Sequence, residues 1–175
     1  MRRGRPILVG LAATIALAAG ASAHDHRVPK TVLSVDEQRQ QGRLWSAVWQ
    51  SGDDNSCVEQ GIDGTPTFHR PLHITEGSHR ARVRFRKRHE PRRVSLRAYT
   101  EFDRRGAPQG DGTPIPFELR KSPSEGAVRA WVARFDVSLS DAKPRLMIEA
   151  FGRWRDLDGC GDPQTASWTF SLRTP

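Results

Sequence analysis

Apolar and charged residues alternate with a period of two along much of the second half of the chain, and that pattern admits little besides β-strands. Ala81, Val83 and Phe85 alternate with Arg80, Arg82, Arg84 and Arg86. Val94, Leu96, Ala98 and Phe102 alternate with Arg93, Ser95, Arg97 and Glu101. Successive side chains of a strand point to opposite faces, so each run predicts one buried face and one wet face. Trp131, Ala133, Phe135, Val137 and Leu139 predict a long strand, and Trp168, Phe170 and Leu172 a last one. Leu146, Ile148 and Ala150 are backed by Met147 and Phe151, the pattern of a central strand. Ile115, Phe117 and Leu119 form a shorter run that Pro114 and Pro116 confine to a sheet edge.

Turn signals fall between these runs: His89-Glu90-Pro91, Arg105-Gly106, Ser122-Pro123-Ser124-Glu125-Gly126, Asp141-Ala142-Lys143-Pro144 and Asp158-Gly159. No segment keeps a 3.6-residue apolar period for three turns. About seven short strands at this spacing predict an all-β fold, an antiparallel β-sandwich over residues 69–175. At the level of architecture it looks immunoglobulin-like, although the inter-sheet cysteine pair and core tryptophan of antibody domains have no counterpart in the pattern. An architecture of this kind does not fix a function.

Residues 24–68 read as an N-terminal arm that folds with the sandwich as one unit. Ser34 and Glu37 have capping-box spacing, and Gly42 limits them to a short helical turn. Residues 44–50 predict a strand with Trp45, Ala47 and Trp49 on one face and Leu44 and Val48 on the other. A loop rich in Gly, Asp, Asn and Pro follows to about Thr67 and carries Cys57.

Residues 1–23 read as a secretory signal peptide, with Arg2, Arg3 and Arg5 before an apolar run and Ala21-Ser22-Ala23 at the cleavage site. The apolar run is short for a bilayer span, which takes roughly 20 residues. The expected location is therefore secreted, extracellular or in the cell envelope. Cleavage leaves about 150 residues, enough for a core that buries some two-thirds of the unfolded surface. In an oxidising compartment the two cysteines, Cys57 and Cys160, are expected to form one structural disulfide.

The chain carries 28 basic and 20 acidic residues, for a formal charge of +8, and only four of the basic residues are lysines. A balance this basic often marks nucleic-acid binding. An exported protein seldom meets nucleic acid, so an anionic cell-envelope polymer or an unknown protein is the expected partner. Arginine-rich composition without function is the competing explanation.

Enzyme signatures are missing: the chain has no GxSxG, HExxH, Walker or GxGxxG motif. His69, His73, His79 and His89 have no Ser or Asp at a spacing that pairs them. Glu149 sits in an apolar strand, where a carboxylate needs a partner; an Arg of a neighbouring strand is expected.

Three features remain. Arg80, Arg82, Arg84, Arg86 and Arg88 would project from one strand face, joined by Arg93 and Arg97 if residues 89–92 form a tight hairpin. Such a row repels itself and matches the bidentate geometry of phosphate and carboxylate; a solvated face neutralised by Glu101 or Asp103 is the alternative. Asp53, Asp54, Glu59 and Asp63 surround Cys57, as Asp156, Asp158 and Asp162 surround Cys160. Turn chemistry explains these better than a calcium loop does. Finally, cleavage after Ala23 would expose His24-Asp25-His26, whose amine, two amides and imidazole suit Cu(II) or Ni(II). The expected function is non-enzymatic surface binding without a cofactor. Copper binding at the new N-terminus is the second reading and an enzyme of unrecognised type the third.

Overall fold

The long strands predicted from alternation are present, the shorter run at Ile115, Phe117 and Leu119 is strand only from Glu118, and segments without alternation supply further strands. A computed structural model describes residues 28–53, 56–87, 89–122, 130–155 and 163–175, with 50–60 described in backbone alone. Among the described residues there are twelve strands and no helix. They are β1 (Lys30–Val35), β2 (Gln38–Gln41), β3 (Arg43–Asp53), β4 (Ser56–Asp63), β5 (Leu72–His73), β6 (Gly77–Arg86), β7 (Arg93–Tyr99), β8 (Thr113–Pro114), β9 (Glu118–Ser122), β10 (Ala130–Leu139), β11 (Arg145–Arg153) and β12 (Thr165–Arg173).

The strands form two sheets, sandwich-like, antiparallel except where β5 joins β12 in parallel. The first sheet has the order β2-β1-β6-β10-β9 and the second β4-β3-β12-β11-β7-β8. Leu33, Val35, Val83, Phe85, Ala133 and Phe135 of the first sheet face Ala47, Leu96, Ile148, Trp168, Phe170 and Leu172 of the second in one buried cluster. Each large side chain taken out of water contributes about 1.5–3 kcal/mol, so this face-to-face burial dominates the folding energy. One end of the core is aromatic. Trp154 meets Trp49, Trp168 and Phe85 edge-on, with ring centroids 5.7, 6.2 and 6.3 Å apart. Lys87, itself buried, holds its ammonium 5.0 Å from the centre of the Trp49 ring.

The two outer faces differ. On the second sheet, Met147, Ser167, Thr169 and Ser171 point outward yet are buried. The segments after β4 and β7 lie across them: His69 N–H donates to Ser171 Oγ at 3.1 Å, and Phe68 packs edge-on to Phe102 at 5.2 Å, with the Arg145 guanidinium against both rings. Nothing comparable covers the first sheet among the described residues, and its outer face is where the arginine strand lies.

Several expectations give way here. The helical turn at Ser34–Glu37 is instead the end of a hairpin, with Val35 paired to Gln38 around a turn in which Asp36 takes φ +50°. Cross-strand pairing to β6 outweighs a lone capping box. The loop expected at Cys57 is a strand, β4, which pairs along β3 so that Gly52 opposes Cys57. Leu44 does not face away from Ala47 and Trp49. A bulge lets Ser46 oppose Ser167 and Leu44 oppose Trp168, so Trp45 is the extra residue and Leu44 swings to the core. The core does hold tryptophans, Trp49, Trp154 and Trp168, although β7 carries none. The signal peptide (1–23), His24-Asp25-His26, Arg88 and Cys160 lie outside the described residues, as does the Cys57 side chain.

Candidate anion-binding face

β6 lies second in from neither edge: it is flanked by β1 and β10, so Arg80, Arg82, Arg84 and Arg86 project from the middle of the first sheet's outer face. Because both its edges are taken, β7 cannot pair with β6. By residues 89–92 the chain lies against the other sheet instead, with Pro91 buried and Arg92 N–H bonded to Arg153 O at 2.7 Å. Arg93 and Arg97 therefore stand on the second sheet, opposite Arg153 and Glu149, and do not join the ladder.

Other strands replace them. Register places Arg134 of β10 directly opposite Arg82, and Ser34 of β1 on the other side of Arg82, with Arg39 of β2 beyond it. One row across four strands thus carries three arginines. Directly opposed like charges on antiparallel strands cost several tenths of a kcal/mol unless an anion intervenes. The next row brings Arg84 against Val132, with Arg120 of β9 beyond. Together these residues line a groove of about 520 Å³ with Arg86, Lys121, Ser34 and Ser122, its floor apolar at Val32 and Val132, and no carboxylate lines it.

Acids gather at the opposite end of the same face. Asp136 opposes Arg80, and Asp36, Glu118 and Asp136 all line a second depression with Arg80 and Arg134. Arg120 Nη2 donates to Glu118 Oε1 at 2.5 Å, and that bond holds the Glu118 carboxyl below its ordinary range and raises the guanidinium. Arg82 and Arg134 thus border both the acidic depression and the cationic groove, and the stretch from Arg84 to Arg86 lies on the groove alone. Glu101 and Asp103, offered by the sequence as neutralising groups, are elsewhere. Asp103 Oδ1 accepts from Arg105 N–H and Ala107 N–H, both at 2.8 Å, in a turn.

The other candidates resolve locally. His79 ties the β1–β2 turn down, with Nδ1 2.8 Å from Asp36 Oδ2 and Nε2 2.8 Å from Thr75 O. His73 and His89 contribute main-chain oxygens, accepting from Gln38 Nε2 and Trp154 Nε1. Glu149 has Arg97 opposite in register, but the hydroxyl that reaches it is that of Tyr99, at 2.8 Å from Oε2. Burial first, and then this bond to Glu149, push the Tyr99 phenol up to about 12. Among the described residues no three His, Cys, Asp or Glu side chains are grouped to hold a metal. No helix there is long and apolar enough to cross a membrane.

Comparison with protein-family models, curated proteins and solved structures finds no match to this chain. Function has to be argued from this face. Arg39, Arg120 and Arg134 were not singled out in the sequence because each lies on a different strand; only the pairing register unites them.

Proposed function

We propose that this protein is an exported, non-enzymatic binding protein that holds an anionic cell-envelope polymer across the outer face of its first sheet. The observation that carries the reading is the groove that gathers Arg39, Arg82, Arg84, Arg86 and Arg134 with no carboxylate in its lining, Glu118 standing opposite Arg134 beyond its rim. A groove that concentrates one sign of charge over a partly apolar floor raises the local concentration of a polyanion and binds it in a salt-dependent way. Planar guanidinium groups also suit bidentate contact with phosphate or carboxylate. Export rests on the charged and apolar pattern of residues 1–23.

The sandwich itself we read as immunoglobulin-like. Strands β1, β6, β10 and β9 take the places of A, B, E and D, and β12, β11, β7 and β8 those of G, F, C and C′, with β2–β5 inserted between the first two.

The test is retention on an immobilised anionic polymer. Combined Arg82→Gln, Arg86→Gln and Arg134→Gln substitutions should release the protein at much lower salt. The same triple variant should melt close to the parent, because the Arg82–Arg134 repulsion it relieves offsets the Arg134–Glu118 attraction it removes. Unchanged retention, or a large fall in melting temperature, would reject the reading and make these arginines structural partners.

A further inference from the structure

A second basic hollow lies round the β2 edge, on the side of the molecule where β2 leaves the first sheet for β3. It is a cleft of about 630 Å³ with Arg39, Arg43 and Arg70 at its walls, His69 beside them, and no carboxylate in its lining. Its floor is a break in pairing. The edge of β12 is covered by β3 as far as Thr169 and by β5 from Leu172. In the gap, Ser171 N–H donates to Gln40 Oε1 at 2.9 Å, a side chain reaching over from the other sheet. The same amide donates through Nε2 to Arg70 O at 2.7 Å, and so holds Arg70 at φ +41°, a left-handed backbone that a side chain adopts at a cost.

The hydroxyls in this cleft are poised as donors. Thr67 Oγ1 accepts from Arg43 Nη1 at 3.1 Å, and Ser171 Oγ accepts from His69 N–H at 3.1 Å. With an acceptor position already used on each, the O–H of each remains to be donated. Guanidinium groups, an imidazole and hydroxyls with an O–H left to donate surround one hollow with no carboxylate in its lining, a donor-rich surface that fits an anion made of acceptors.

We propose that this cleft binds one tetrahedral oxyanion of phosphate or sulfate type, free or as the terminal group of a larger molecule. It is separate from the polymer groove and shares with it only Arg39. The strained Arg70 is held in place for this contact by Gln40.

Calorimetric titration of the full chain with inorganic phosphate, in a buffer free of other multivalent anions, tests the proposal. One saturable site is expected, competed by sulfate and not by acetate. Arg43→Gln and Arg70→Gln should each weaken phosphate by tenfold or more, whereas the combined Arg82→Gln and Arg86→Gln variant should bind it as the parent does. Arg70→Gly should keep or raise the melting temperature, since glycine relaxes that backbone, and still lose phosphate. Glycerol 3-phosphate separates the two sources: binding equal to phosphate means a tethered group enters, and exclusion of the ester means the free ion is held. Absence of a saturable site overturns the proposal, as does phosphate affinity unchanged in Arg43→Gln and Arg70→Gln. Loss of phosphate binding in the Arg82/Arg86 variant would also overturn it, by moving the site to the polymer groove.

Discussion

Glu149 illustrates what a single residue can and cannot announce. A carboxylate inside Leu146–Ala150 demands a partner, and that much is readable without a structure. Which partner it takes depends on the cross-strand diagonal, and Tyr99 rather than an arginine supplies the hydroxyl. Because Tyr99 is the single tyrosine of the chain, its ionisation can be followed alone. Tyrosinate absorbance should rise with a midpoint near 12, and Glu149→Gln should bring that midpoint down towards the ordinary value of 10. The sign for stability follows from the same shift. The folded phenol holds its proton more tightly than the unfolded one, so its contribution is complete below pH 10 and is lost as pH rises through about 12. Urea unfolding at a series of alkaline pH values should show that decline, and Tyr99→Phe should remove it.

At the scale of elements, the spacing of apolar residues located β6, β7, β10, β11 and β12 because each lines the core with every second side chain. It missed β1, β2 and β4, and the two-residue β5 and β8. Gln38–Gln41 has no apolar residue to alternate, and it is a strand because β1 offers it an edge. The β2–β3 junction makes the same point through Gly42, where a Cβ would lie 2.1 Å from Thr31 Oγ1 and 2.9 Å from Phe170 Cζ. Gly42→Ala should cost about 2–3 kcal/mol, the range for forcing an extra carbon into a packed site. Adding Thr31→Ala should recover part of the loss by clearing the nearest atom. Chemical denaturation midpoints of the two variants measure both, and a neutral Gly42→Ala would mean that the junction can shift.

On the scale of the whole molecule, the cysteines are the open covalent question. Export would leave Cys57 and Cys160 in an oxidising compartment, where joining them closes a loop of roughly 100 residues worth about 4–5 kcal/mol on the chain-entropy model. Mass spectrometry of exported protein should then find no alkylatable thiol, and Cys160→Ser should lower the melting temperature; two free thiols would remove the bond from the account. The arginine face shows how the remaining information is divided. Periodicity, a property of neighbouring residues, is enough to make the chain all-β, to mark where most long strands lie, and to set Arg80, Arg82, Arg84 and Arg86 on one face. Only the tertiary structure decided that Arg93 and Arg97 belong to the other sheet and that Arg134, Arg120 and Arg39 take their place. It likewise placed Arg43 and Arg70 together across a sheet corner. Those outcomes depend on which strand edges pair and in what register, and hydrogen bonds between segments distant in the chain leave no periodic mark on either segment.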